Sequence, residues 1–147
     1  MFSKEEASKL RKDFWVSYGK SFPRKWLTYN TKIKDFSFKF YADNKTARVM
    51  LDIEPASKAR RELLYEQVAA LKTVLEESYL PEIIFDKNHY LDNGKCISRI
   101  FVILDAKFSI YNKNTWGLAF DFFNQHMHQF ECWFYEFEDF IKQADLS

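Results

Sequence analysis

The feature that most constrains this chain lies towards its end. From Thr115 onward, Trp116, Phe120, Phe123, Met127, Phe130, Phe134, Phe137 and Ile141 recur in steps of four and three. Such steps return to one side of a 3.6-residue helix, so the segment is expected to be one long helix with an unbroken apolar seam. Ala119, His126, Trp133 and Phe140 form a second line, seven residues apart, beside the first. The stripe is then wider than a two-stranded coiled coil needs and suits a helix laid across a sheet. Glu131, Glu136, Glu138 and Asp139 are expected on its outer side, facing water or a basic partner. If Trp133 and Phe140 stayed exposed, they would favour a homodimer through this C-terminal helix over a monomer.

The sheet comes from earlier segments. Phe36, Phe38, Phe40 and Ala42 alternate with Ser37, Lys39 and Tyr41; beyond Asp43-Asn44, Ala47, Val49, Leu51 and Ile53 alternate with Arg48, Met50, Asp52 and Glu54. A period of two with one apolar face predicts a β-hairpin. Asn44-Lys45-Thr46 matches a glycosylation sequon and reads as part of its turn. Ile83-Ile84-Phe85 predicts a third strand, Asp92-Asn93-Gly94 a turn, residues 97–105 a fourth strand and residues 107–111 a short edge strand.

Two further helices are expected. Ser3 with Glu6 forms a capping box before Ala7, Leu10, Phe14 and Tyr18, with Gly19 as the stop. From about Ser57 to Tyr79 a second helix carries Leu64, Val68, Leu71 and Leu75 on one stripe. The resulting order, α-ββ-α-ββ-α, predicts an α+β fold: an antiparallel sheet of about four strands packed against helices. Residues 1–147 are read as a single domain, because a chain of this length buries enough surface to fold without staples. Sixteen Phe among its residues mean a core built from rings.

The chemistry is mostly defined by what is missing. Cys96 and Cys132 are far apart and belong to no CxxC or Cys/His cluster, so neither a disulfide framework nor a zinc site is expected. Gly19, Gly94 and Gly117 are isolated and build no phosphate-binding loop, and no cofactor is expected. His126 and His128 are two apart on a helix and point about 200° from each other, while His89 lies in another segment. Asp52 and Glu54 share a strand face, where the ordinary explanation is pairing with Lys39 or Arg48. Asp105-Ala106-Lys107 matches the (D/E)xK half of a restriction-endonuclease-like nuclease signature, for which Asp86 and Asp92 are the candidate upstream metal ligands. The charged N-terminal residues and the lack of a long apolar run predict a cytoplasmic protein with no membrane association.

One segment favours binding. Arg24, Lys25, Trp26, Tyr29, Lys32 and Lys34 combine cations with rings, the pairing that follows a nucleic-acid backbone and stacks bases. Arg48 and Arg99, on the polar strand face, would extend that contact. The charge distribution agrees: residues 1–61 hold 15 Lys and Arg against 7 Asp and Glu, whereas residues 62–147 hold 7 against 14. A basic half suits an anionic partner, nucleic acid or an acidic protein; equally, the two halves would attract each other within the fold or across a dimer. The expected function is therefore a non-enzymatic binding or accessory module, with a divergent Mg²⁺-dependent nuclease or a self-associating structural protein as alternatives.

Several ordered stretches, taken together, resemble the bacterial domain-of-unknown-function family numbered 4268. They are Phe14-Trp15 to Gly19-Lys20, Lys25 to Thr31, Phe38 to Asn44, Ala47 to Glu54, Arg61 to Gln67, and Ser98-Arg99-Ile100. The resemblance covers most of the chain and implies a context that is in some members nuclease-like or DNA-associated. It brings no established catalytic residue, but marks Trp26, Tyr29, Lys32 and Arg99 as probes.

Overall fold

The computed structural model describes residues 2–146, so Met1 and Ser147 lie outside the described residues. Its elements are α1 (Lys4–Ser21), β1 (Phe36–Ala42), β2 (Ala47–Ile53), α2 (Lys58–Ala69), α3 (Lys72–Ser78), β3 (Ile84–Tyr90), β4 (Cys96–Ile103) and α4 (Trp116–Lys142). The four strands make one open antiparallel sheet in the order β1-β2-β4-β3. The α+β architecture expected from the periodicities is the one observed.

Local chemistry explains most of the boundaries. The Glu6 N–H donates to Ser3 Oγ at 3.1 Å and the Ser3 N–H to Glu6 Oε1 at 3.3 Å, so the capping box opens α1. Gly19 does not end that helix, which continues to Ser21. The stop is instead Phe22, which precedes Pro23 and is pushed out of the helical region by the proline ring. The single helix expected over residues 57–79 is interrupted at Ala70-Leu71, where the Leu71 N–H bonds the Val68 carbonyl, a tighter turn, at 2.9 Å. No Gly or Pro marks the break, and buried Leu75 keeps the stripe in phase across it.

Residues 107–111 do not form the expected edge strand. Phe108 and Ile110 are buried and alternate with more exposed neighbours, which reproduces a strand's pattern. The backbone joins the hairpin through one bond, Ile110 N–H to the Asp43 carbonyl at 3.0 Å, and the Trp116 indole N–H caps the Ile110 carbonyl at 2.9 Å.

The strand register separates two faces. Phe36, Phe38, Val49, Leu51, Ile53, Ile100 and Val102 join Phe123, Met127, Phe130 and Phe134 of α4 and Leu64 and Val68 of α2 in one core. Phe14 of α1 closes one end, its ring meeting Phe108, Trp116, Phe120 and Phe123. Trp133 is fully buried and Phe140 half-buried, so the second apolar line of α4 packs largely within the chain. Glu131 is also inside rather than on the outer side. Its carboxylate accepts from Arg24 Nη2 at 2.7 Å and from the Leu27 N–H at 2.6 Å. Among the described residues no helix is long and apolar enough to cross a membrane.

Candidate functional site

The opposite face of the sheet displays the residues of the other parity. Register places them in cross-strand rows: Tyr41, Arg48 and Ile103; Lys39, Met50, Phe101 and Ile84; Ser37, Asp52, Arg99 and Asp86. Met50 and Ile97 are buried on this side but stand apart from the main core, shielded by the long side chains around them. Tyr41, Ile84 and Ile103 reach solvent.

A charged row crosses the face. Asp52 has no exposed surface. Arg99 holds it with two bonds, Nε to Oδ1 at 2.8 Å and Nη2 to Oδ2 at 3.0 Å, and Lys39 Nζ reaches Oδ2 at 3.2 Å and Glu54 Oε2 at 2.6 Å. The carboxylates that strand alternation placed together are thus neutralised by Lys39 and Arg99, not by Arg48. The bond to Asp52 raises the Arg99 guanidinium above its ordinary range. Burial alone would lower the Lys39 ammonium, but its bonds to Glu54 and Asp52 lift it.

A β-bulge extends the row. Asp86 pairs with Arg99 and His89 with Ile97, so β3 spends one extra residue between them, and both side chains emerge on the same face. Arg99 Nη1 lies 2.9 Å from His89 Nε2. Arginine only donates, so Nε2 accepts, and the imidazole proton sits on Nδ1, which donates to Asp86 Oδ2 at 3.0 Å. Strict alternation would have put His89 on the other face.

Arg48 behaves differently from Arg99. Its guanidinium lies 5.3 Å from the Tyr41 ring centre and 5.8 Å from that of Phe101. Its Nε is buried without a hydrogen-bond partner. No ion pair or hydrogen bond to Arg48 is present among the described residues. This is an uncommitted cation between two rings on an open sheet.

The basic loop borders this face along β1. The Phe38 N–H bonds the Thr28 carbonyl at 3.0 Å, and a groove of about 440 Å³ is lined by Tyr29, Lys34, Lys39, Glu54 and Lys95. Thr28, Lys32 and Asp35 all have positive φ, a conformation costly for residues with a Cβ. The buried Thr31 hydroxyl holds the loop in shape by donating to the Phe36 carbonyl at 2.7 Å. Tyr29 is 72% exposed, and Lys25 and Lys32 are exposed with it. Trp26 is the exception: only 9% of its surface is open, Arg24 covers its ring at 4.1 Å and Phe40 meets it edge-on. It caps the core and presents no stacking surface.

The four residues of the nuclease pattern are not brought together. Asp86 is bonded to His89 on the sheet face, and Asp92 lies in the β3–β4 turn at one end of β4. Asp105 and Lys107 follow the other end of that strand. Asp105 is six residues past Arg99, the partner of Asp86, which corresponds to about 20 Å of extended chain. Among the described residues no group of three or more His, Cys, Asp or Glu is placed to hold a metal ion.

A larger groove, about 900 Å³, runs along the middle of α4 and includes Arg24, Tyr79, Gln125, His126 and His128. Two residues apart on the helix, both histidines nonetheless reach it. Arg24 Nη1 sits 3.1 Å from His128 Nδ1, so that nitrogen accepts and Nε2–H points at Cys132 Sγ, 3.6 Å away. An imidazole in this tautomer cannot take the thiol proton, and no Cys–His nucleophile results. The Arg24 guanidinium is committed to Glu131, His128 and the Trp26 ring.

These observations define a class: an α+β domain with a one-sided helical cover and an open antiparallel sheet rimmed by a basic, aromatic loop. The family model for the domain of unknown function DUF4268 matches residues 10–138, and the chain belongs to that family. No curated protein and no solved structure matches it.

Proposed function

We propose that this protein is a binding module whose open sheet face and adjoining basic loop take single-stranded nucleic acid. The observation that carries this reading is Arg48, a guanidinium with no hydrogen-bonded or ion-paired carboxylate among the described residues, set between Tyr41 and Phe101. Single strands are bound by cations that track phosphates and rings that stack bases, and base stacking on an aromatic is worth about 1–3 kcal/mol. Tyr29 and Lys32 continue the same chemistry along β1. In this reading Arg99 and Lys39 hold the face in shape, while Arg48, Tyr41, Tyr29, Lys25 and Lys32 meet the ligand. A flat sheet with rings offers more to splayed bases than to a duplex whose bases are stacked on each other.

The test is a fluorescence-anisotropy titration with labelled single-stranded and duplex oligonucleotides at about 50 mM salt. Single strands are expected to bind more tightly, with affinity falling as salt rises. Arg48→Ala and Tyr41→Ala should each weaken binding by about fivefold or more. Absence of single-strand binding, or an Arg48→Ala variant that binds as well as the parent, overturns the reading. Tighter binding to an acidic polypeptide than to either oligonucleotide would assign the face to a protein partner.

A further inference from the structure

Arg61 is a buried cation that the sheet face does not use. It is 4% exposed, yet its bonded partners are all neutral: Nη1 donates to the Lys87 carbonyl at 2.6 Å and to Ser98 Oγ at 2.8 Å, and Nη2 lies 3.3 Å from Asn88 Oδ1. These bonds fasten α2 to the β3 bulge. They leave the charge uncompensated, and a buried charge without a counter-charge is costly.

Arg61 also forms part of the wall of a pocket of about 440 Å³, together with Lys58, Lys95, Cys96, Pro55 and Ala56. Three of these are cations and none is acidic. Lys95 Nζ donates to the neutral Glu54 carbonyl at 2.8 Å, and Lys58 has only a loose, exposed contact with Glu62 at 3.9 Å. A guanidinium already clamped on one side has little freedom left to lose when its remaining N–H groups meet an oxyanion.

We propose that this pocket is a binding site for a phosphate monoester. A dianion supplies the charge the three cations lack, and its several oxygens match their combined donors. A terminal phosphate presents three free oxygens to these donors, whereas a phosphodiester presents two and carries one negative charge fewer. Lys95 also lines the groove with Tyr29 and Lys39, so a strand lying on the sheet face would bring its phosphorylated end to this pocket. That last connection rests on the single-strand reading; the pocket itself does not.

The experiment uses the whole chain and two probes. Inorganic phosphate is titrated at constant ionic strength while backbone amides are followed by ¹H–¹⁵N NMR. Saturable shifts centred on Lys58, Arg61 and Cys96 are expected, with affinity reduced by about tenfold in a Lys58→Ala/Lys95→Ala double variant, whose exposed positions spare the fold. Arg61→Gln is informative where it remains folded and should abolish the saturable response. In the second arm, oligonucleotides with and without a terminal phosphate are compared. A gain of about tenfold from the phosphate, lost in the double variant, identifies a strand end as the source; phosphate binding without that gain identifies a free phosphate compound. If inorganic phosphate gives no saturable shift and the terminal phosphate gives no gain, the pocket proposal is wrong. Binding of hydroxyl-ended strands that depends on Arg48 would then still stand by itself.

Discussion

Asp52 permits a quantitative test of how the sheet face is held. Its carboxylate is fully buried, and among the described residues it is compensated by Arg99, through two bonds, and Lys39, through one. Arg99→Ala removes both arginine bonds but leaves Lys39 in place. Bonds to charged groups contribute about 1.5–3 kcal/mol each, and water entering the vacated space recovers part of that, so a loss of about 3 kcal/mol is expected. Lys39→Ala is milder, about 1 kcal/mol, because the lysine is a quarter exposed and Asp52 keeps its two-bond partner. In the double variant Asp52 becomes a buried anion with no counter-charge. The combined loss should exceed the sum of the single losses by about 1–2 kcal/mol. Urea unfolding reads this directly: with a slope of about 2 kcal/mol/M, the Arg99→Ala midpoint falls by about 1.5 M. Adding Asp52→Asn to the double variant should restore part of the stability, since the orphaned charge is gone. Single losses near zero would show that Asp52 does not depend on either cation, additive ones that the two do not share its compensation, and either result would remove the basis for reading the pair as a joint scaffold.

Two further outcomes follow from the packing and the titrating groups. Phe14→Ala empties a site with no exposed surface and rings on several sides, and should cost about 3–5 kcal/mol in urea unfolding; a loss below about 1 kcal/mol would mean the core closes around the gap. Burial pushes the Asp43 carboxyl up, but the Lys45 N–H, the Tyr41 hydroxyl, the Thr46 N–H and the charge of Arg48 outweigh it and hold the group below its ordinary value. Its contribution is therefore present above the unfolded value of about 4 and lost as pH falls through the folded one, so parent and Asp43→Ala should converge in stability in acid. The raised Lys39 has the opposite sign: its contribution is complete below about pH 10 and lost as pH climbs through the folded value, which a comparison with Lys39→Ala at alkaline pH would reveal.

Periodicity carried much of the fold because α4 and the first hairpin each bury one continuous face, and a buried face writes its repeat into the chain. What it missed depends on single insertions and distant partners. The bulge in β3 adds one residue without changing composition, so nothing local reveals that His89 and Asp86 share a face. Trp26 and Tyr29 are both rings in the same basic loop. Only Arg24 and Phe40, the latter distant in sequence, decide that one is covered and the other displayed. Glu131 did carry a signal: it falls four residues after Met127 and three before Phe134, on the apolar side of α4. Its acidity pointed outward, while its phase pointed inward, and the Leu27 N–H and Arg24 resolved the conflict in favour of phase.

The charge asymmetry along the chain now divides into parts with different meanings. A cation of the basic half meets an acid of the acidic half at Arg24 with Glu131, and Arg99 with Asp52 crosses the halves in the reverse sense; at both places the cation is consumed by the fold. Arg48 and Arg61 belong to the basic half, and their ring contacts and hydrogen bonds among the described residues are to rings, carbonyls, a hydroxyl and an amide, with Asp43 acting on Arg48 through its field alone. Internal neutralisation would have favoured a carboxylate at Arg61 in particular, because it is almost fully buried and would gain much from a counter-charge. That neither arginine is ion-paired among the described residues is what supports the proposal that this basic half does more than balance an acidic one and offers sites to an anion from outside.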